Sequence, residues 1–177
     1  TEQNKGVSHA RNIGISNIMD MVDIFLIVDS DDIMRPEKIQ KSIEVMKKYP
    51  NVSVVYSDYT MMYASGQPDQ REYKHPFETE VLGRDCIVCG NSVISKRALQ
   101  SVGLYDENFK MCEDYDLWIR MANVSVLYHI PEDLFIYRVK EGSLTSNPQD
   151  PIWQEHRIKL MQKYSRKPPA DTNGDNN

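Results

Sequence analysis

The feature that most constrains the fold of this sequence is an unbroken apolar run at residues 24–28, which ends directly in an acidic segment at residues 29–32. Because the run contains β-prone residues without polar alternation, it predicts a strand covered on both faces, as at the centre of a parallel sheet. Residues 8–19 show helical spacing before it, and Pro36 opens a second predicted helix after it. The chain therefore begins as helix, buried strand, acidic loop and helix.

The rest of the chain continues to alternate between strands and helices. Strands are predicted at residues 52–56, 93–95, 124–129 and 134–138. Helices are predicted at residues 96–102, 113–122 and 152–164, and a polar loop at residues 65–76. This alternation predicts an α/β fold with a mainly parallel central sheet flanked by helices, whose ligands bind at the carboxyl ends of the strands.

The length of the chain fits one domain, which we place at residues 1–165. Residues 166–177 are rich in Pro, Asn and Asp and are predicted to form a disordered tail. A strand buried on both faces needs neighbours on both sides, yet only one predicted helix precedes residue 24. We therefore expect the sheet to be N-terminally incomplete.

Charge and composition exclude two classes of partner. Lys and Arg number 21 against 26 Asp and Glu, a net charge of −5, which argues against nucleic acid. No apolar run approaches the roughly 20 residues that span a bilayer, so no transmembrane segment is expected in this chain. The odd cysteine count, 3, favours a reducing compartment. We expect a cytoplasmic location, which includes the inner face of the membrane.

The carboxylates that follow the predicted strand are candidate ligands of a divalent cation. Asp29, Asp31 and Asp32 repel one another unless a cation or hydrogen-bond donors offset their charge. Oxygen ligands suit Mg²⁺ or Mn²⁺, which bind one or two carboxylates and complete their shell with water and substrate phosphates. Strand alternation places Asp29 and Asp31 on one side and leaves Asp32 to cap the next helix. The alternative is a solvated turn.

A second acidic cluster, Glu113, Asp114 and Asp116, opens the predicted helix at residues 113–122. Negative side chains in a first helical turn are favoured by the helix dipole, which is one reason for their presence. The other reason is catalytic, because a carboxylate at the edge of a pocket can take a proton from a substrate hydroxyl.

The cysteines offer one further metal site to consider. Cys86, Cys89 and Cys112 could form a Cys₃His zinc site with a histidine. The apolar character of residues 86–93 instead favours cysteines that pack as small hydrophobic side chains. We therefore expect no zinc site.

The order and spacing of the polar segments resemble a family-2 glycosyltransferase. The resemblance covers roughly residues 1–145 and is carried by Asn-Lys-Gly at 4–6, Ala-Arg-Asn at 10–12, Asp-Ser-Asp-Asp at 29–32, Gly-Asn-Ser at 90–92, residues 102–109, Glu-Asp-Tyr-Asp at 113–116 and Tyr-Arg-Val-Lys at 137–140. It implies the Rossmann-like, A-type glycosyltransferase fold. It also implies a hexosyltransferase-type enzyme that transfers a sugar from a nucleotide diphosphate to an acceptor hydroxyl with inversion.

The resemblance assigns roles to the two acidic clusters. Asp31 would coordinate a Mg²⁺ or Mn²⁺ ion that bridges the donor diphosphate, as part of a DXD motif with Asp29, which would contact the ribose or the metal shell. The metal would offset charge on the departing nucleoside diphosphate. Asp114 would be the base that deprotonates the acceptor, and Glu113 would orient Asp114 or the acceptor.

The resemblance also implies a donor-binding set. Asn4, Gly6 and Arg11 would lie near the nucleotide, although a structural role for Arg11 is an alternative. Arg138 and Lys140 would face the diphosphate. Many family members carry a metal-binding His where this chain has Lys140, and a protonated lysine cannot bind a metal, so metal dependence is an open question.

The partners implied are a nucleotide sugar, with a UDP-sugar as the default donor, and a saccharide, lipid-carrier or polymer acceptor, as in polysaccharide biosynthesis. In the family, the strand and loop that bind the nucleotide base lie well upstream of the acidic loop. Here only 28 residues precede Asp29. Base recognition is therefore expected to be largely absent from this segment, which alone could be inactive.

Two other functions remain open. The first is a glycosyltransferase-like binding or scaffold module without catalysis, which the short amino-terminal part favours. The second is a phosphatase or phosphotransferase with Asp29 as nucleophile. Ile33 argues against it, because such enzymes carry Thr or Val at that position of the motif.

Overall fold

The computed structural model describes residues 3–65, 67–78, 82, 86–140 and 150–164. Within these residues the helices are α1 (Val7–Ile18), α2 (Glu37–Lys48), α3 (Lys96–Val102), α4 (Glu113–Ala122) and α5 (Pro151–Tyr164). The strands are β1 (Ile24–Leu26), β2 (Ile33–Met34), β3 (Val52–Tyr63), β4 (Gln70–Glu72), β5 (Val93–Ser95) and β6 (Val126–Val139). The predicted tail at residues 166–177 lies outside the described residues.

The strands form one mixed sheet in the order β1-β5-β3-β6-β2, with β4 paired to β3. β3 and β6 run parallel, whereas the other described pairs are antiparallel. The α/β sheet with flanking helices is confirmed, but it is mixed rather than mainly parallel. Apolar runs indicate which faces of a strand are covered, and they carry no information on the direction of the neighbouring strand.

The position of β1 also differs from the expectation. β1 lies at one end of the described sheet and not at its centre, paired only with β5 there. Both of its faces are nevertheless covered, as predicted. Phe25 packs into one hydrophobic cluster, and Ile24 and Leu26 pack against the other.

The helices lie close to their predicted bounds, whereas two strand predictions need correction. The predicted loop at residues 65–76 contains β4, a polar strand that pairs with Tyr59–Met61 of β3. The two strands predicted at residues 124–129 and 134–138 form the single strand β6. Its register against β3 shifts near Ser57 and Asp58, so an irregularity accommodates Pro131 without ending the strand.

Hydrophobic clusters cover the two faces of the sheet. The larger cluster joins the sheet to α1, α3, α4 and α5 and includes Ile15, Leu99, Trp118 and Leu160, all almost fully buried. Each such side chain contributes about 1.5–3 kcal/mol by burial. The smaller cluster lies between the sheet and α2. None of the helices in the described part of the chain is long and apolar enough to cross a membrane.

Candidate active site

The acidic loop between β1 and β2 is held by the end of β6. Within the loop, the backbone N–H of Asp32 donates to the carbonyl of Asp29 over 3.0 Å. The backbone N–H of Arg138 donates to Asp32 Oδ1 over 3.0 Å, and Arg138 Nε donates to the carbonyl of Asp31 over 2.9 Å. Asp32 therefore binds β6 and does not cap α2, whose N-cap is Pro36.

The other two carboxylates of the loop face cations. Asp29 Oδ1 lies 3.1 Å from Arg11 Nη2, and Asp31 Oδ2 lies 3.1 Å from Lys140 Nζ. Both carboxylates remain half-exposed, at 54% and 40% of the side chain. The hydrogen bond from Lys140 holds the pKa of Asp31 below its ordinary value. The loop thus presents accessible carboxylate oxygen atoms to solvent.

Arg11 on α1 joins this loop to the start of α4. Its Nη1 donates to Glu113 Oε1 over 2.7 Å, while Nη2 contacts Asp29. Both Arg11 and Glu113 are largely buried, and the guanidinium lies over the ring of Tyr105 at 5.4 Å. The planar fork of arginine can serve two carboxylates at once, which a lysine cannot do with the same geometry. Arg11 therefore fixes the two acidic clusters beside each other.

Glu113 and Asp114 begin α4 after a backbone kink. Cys112 has φ 62°, a left-handed conformation that costs a non-glycine residue about 1 kcal/mol or more. Burial and then the neighbouring Asp114 raise the pKa of Glu113 to about 7. Burial also raises the pKa of Asp114. A carboxyl group with a raised pKa is suited to accepting a proton near neutral pH.

Gly90 approaches Asp114 closely. A Cβ atom added at Gly90 would lie 3.2 Å from Asp114 Oδ2. Gly90 therefore lies directly against the Asp114 carboxylate.

The third carboxylate of the second cluster points elsewhere. Asp116 is fully buried and accepts hydrogen bonds from Arg120 Nε at 2.8 Å, Lys163 Nζ at 2.7 Å and Tyr164 Oη at 2.7 Å. It attaches α5 to α4. The structure thus divides the predicted cluster into a pair that faces Arg11 and Gly90 and a buried anchor.

Asn4 and Gly6 lie just before α1, the helix that carries Arg11. Asn4 Oδ1 accepts a hydrogen bond from the backbone N–H of Gly6 over 2.9 Å. Gly6 has φ 96°, which disfavours a side chain, and it is the N-cap of α1. Both residues are exposed. The structure therefore brings together Arg11, the acidic loop, the start of α4 and the end of β6, whereas the hydrogen bond of Asn4 is with Gly6.

The buried charge of Lys38, near this site, was not predicted from the sequence. Lys38 on α2 is only 1% exposed, and its Nζ donates to Ser57 Oγ at 3.1 Å and to Asn91 Oδ1 at 3.5 Å. Burial lowers its pKa. The helical pattern predicts Ile39 on the buried side, yet Ile39 is 39% exposed. No sequence signal distinguishes Lys38 from a surface lysine, because its partners come from β3 and the loop before β5.

The carboxylates of the acidic loop suit a divalent cation that binds together with a phosphorylated ligand. The described residues contain no group of three or more His, Cys, Asp or Glu side chains that could hold a metal alone. Asp29 and Asp31 supply accessible carboxylate oxygens, and Mg²⁺ commonly takes one or two of these and fills its shell with phosphate and water. Cys86, Cys89 and Cys112 form no disulfide bond.

Comparison with known families identifies the class of protein to which this fold belongs. The family model described as "Glycosyltransferase like family 2" matches residues 1–150. The chain belongs to this family.

Individual relatives agree with the family. An uncharacterized glycosyltransferase of Rickettsia typhi is 30% identical over 158 residues, which is 82% of this chain and 48% of the relative. Chondroitin synthase of Escherichia coli is 22% identical over 164 residues, 91% of this chain and 23% of that protein. The chain spans about half the length of the first relatives that it matches.

A solved structure confirms the fold. Staphylococcus aureus TarS 1–349, in complex with UDP, matches with a TM-score of 0.61 and 17% identity, over 79% of this chain and 42% of that chain. The sheet with its flanking helices is therefore an A-type glycosyltransferase fold.

Proposed function

We propose that this chain carries the catalytic centre of an inverting glycosyltransferase, which moves a sugar from a nucleoside diphosphate to an acceptor hydroxyl. The observation that carries the proposal is the double contact of Arg11 with Glu113 and Asp29. It holds an exposed acidic loop beside a buried carboxyl pair of raised pKa. A leaving-group site and a proton acceptor then lie side by side.

The loop side is the donor end. Asp29 and Asp31 would meet the donor diphosphate, and Arg138 and Lys140 at the end of β6 would lie against its charge. When bound at Asp31 and Asp29, Mg²⁺ or Mn²⁺ would offset charge on the departing diphosphate. The UDP bound to TarS supports a UDP-sugar as donor. Asn4 and Gly6 would lie near the nucleotide.

The α4 side is the acceptor end. Asp114 takes the proton of the acceptor hydroxyl as the acceptor oxygen bonds to the anomeric carbon and the bond from that carbon to the diphosphate breaks. One base is enough for a single displacement, which inverts the anomeric carbon. Glu113, held by Arg11, orients Asp114 or the acceptor.

The acceptor class is a saccharide, a lipid-linked saccharide or a polymer. Similarity to chondroitin synthase favours polysaccharide synthesis. A nucleotide-sugar donor and cysteines without disulfide bonds fit a protein on the cytoplasmic side, at the inner face of the membrane or away from it.

The test compares Asp114→Asn with Asp23→Asn, which makes the same change at a fully exposed carboxylate bound to Lys96. Binding is measured as the shift in melting temperature with UDP and Mn²⁺, and transfer as UDP release from UDP-sugars with saccharide acceptors. We expect Asp114→Asn to keep the melting shift and lose transfer by about 100-fold or more, and Asp23→Asn to lose neither. Transfer at the wild-type rate by Asp114→Asn would exclude this base. A wild-type melt that no nucleoside diphosphate shifts would exclude a donor site within this segment.

A further inference from the structure

Lys140 forms an ion pair with Asp31, the carboxylate that the proposed cation would use. Its Nζ lies 3.1 Å from Asp31 Oδ2, so the ammonium group serves the same carboxylate oxygen that a metal would use. The main chain of the acidic loop is held separately by Arg138, through the carbonyl of Asp31 and the carboxylate of Asp32. Lys140 therefore neutralises the carboxylate and is not needed to shape the loop.

This pair can open readily. The side chains of Lys140 and Asp31 are 49% and 40% exposed, and exposed ion pairs are weak because water screens them. A lysine is also a flexible point charge that can reach a second anion from the same backbone position. The nearest anion that the proposed donor would bring to this edge of the sheet is its diphosphate.

We propose that Lys140 is an internal counter-ion of Asp31 that exchanges partners when the donor binds. Without donor it neutralises Asp31 and competes with a divalent cation; with donor it moves to the diphosphate and frees Asp31 for the cation. The inference rests on the proposed function, because it takes Asp31 as the metal-binding carboxylate and a nucleoside diphosphate as the ligand.

The exchange predicts effects of opposite sign when the charge of Lys140 is removed. Lys140→Gln should bind Mn²⁺ alone more tightly, by about two- to fivefold, which is the strength of one exposed ion pair. It should bind UDP in the presence of EDTA more weakly, by a similar factor. A lysine that only stabilises the loop would not produce opposite changes for the two ligands.

The matched control is Lys96→Gln. Lys96 also forms an exposed ion pair with an aspartate, Asp23, at 3.7 Å, so the variant loses the same unit of charge away from the acidic loop. Asp31→Asn reports whether Mn²⁺ uses Asp31 at all. Free Mn²⁺ is measured by electron paramagnetic resonance during titration of each protein, and UDP affinity in EDTA by calorimetry.

We expect the two opposite shifts in Lys140→Gln, no change in Lys96→Gln, and weaker Mn²⁺ binding in Asp31→Asn. Equal Mn²⁺ affinity in wild type, Lys140→Gln and Lys96→Gln, with loss in Asp31→Asn, would overturn the exchange and leave the proposed metal site standing. Unchanged UDP affinity in Lys140→Gln would also overturn it. No Mn²⁺ binding by any of these proteins, with or without UDP, would overturn the metal site of the proposed function and the exchange with it.

Discussion

A single methyl group at Gly90 should test whether Asp114 must be held in position. A Cβ there would lie 3.2 Å from Asp114 Oδ2, tighter than ordinary contact, so the carboxylate would shift by a few tenths of an ångström. A misplacement of 1 Å at a catalytic group costs about 100-fold in rate, so this shift should cost about four- to tenfold. Gly90 does not have the positive φ of Gly6 and Gly103, so alanine strains no backbone there.

The assay is the rate of UDP release from a UDP-sugar in the presence of acceptor, with UDP affinity measured in parallel. Gly90→Ala should lower the rate and leave both UDP affinity and the free energy of unfolding nearly unchanged, the latter within about 1 kcal/mol. The matched control is Gly14→Ala on α1, where nothing lies within 4 Å of the added atom. It should stabilise the helix by up to about 1 kcal/mol and leave the rate unchanged. A folded Gly90→Ala variant that turns over at the wild-type rate would refute the reasoning.

Three further predictions concern buried charges and are measured by urea denaturation. Because the pKa of Glu113 is raised in the folded state, the folded protein holds this proton up to a higher pH than the unfolded chain. The free energy of unfolding should therefore fall as pH rises from 4.5 to about 7. Glu113→Gln should flatten this part of the profile, and an unchanged slope would contradict it. Asp116→Asn should cost about 1–3 kcal/mol, because the buried amide replaces a carboxylate that accepts hydrogen bonds from Arg120, Lys163 and Tyr164, and an unchanged free energy of unfolding would contradict this. Because the pKa of Lys38 is lowered in the folded state, the free energy of unfolding should rise as pH rises towards 10.5. Lys38→Met should abolish this rise, and a rise that persists in the variant would contradict the prediction.

Local patterns predict the helices of this fold well. Pro36 and Ser95 mark the starts of α2 and α3, and the side chain of Ser95 caps α3 by accepting a hydrogen bond from the backbone N–H of Ala98. Strand direction depends on partners far along the chain, so the mixed sheet could not be deduced from apolar runs. β4 was missed because an edge strand such as Gln70–Glu72 needs no apolar face.

The site shows the same division between local and distant information. Ordered motifs predict that Arg11, the acidic loop and α4 converge, and the structure brings them together. The pairings within the site were not predictable from sequence spacing, because Arg11 and Glu113 are in contact although 102 positions separate them in the sequence. Asp116 has the same local sequence character as Asp114, and only the packing of α5 assigns it to the core.

The place of β6 in the sheet has a consequence for how the molecule folds. β6 lies between β3 and β2 and is separated from β3 by residues 64–125, so its pairing closes a long loop and is expected to be slow. Until then, β3 has an open edge that can pair with other chains, and β2 lacks its only described partner. Arg138 and Lys140 reach the acidic loop only with this strand. During synthesis, nascent chains that end before residue 140 therefore have an acidic loop without its contacts to Arg138 and Lys140. They also have an unpaired sheet edge, so this interval is when the protein is most prone to aggregate.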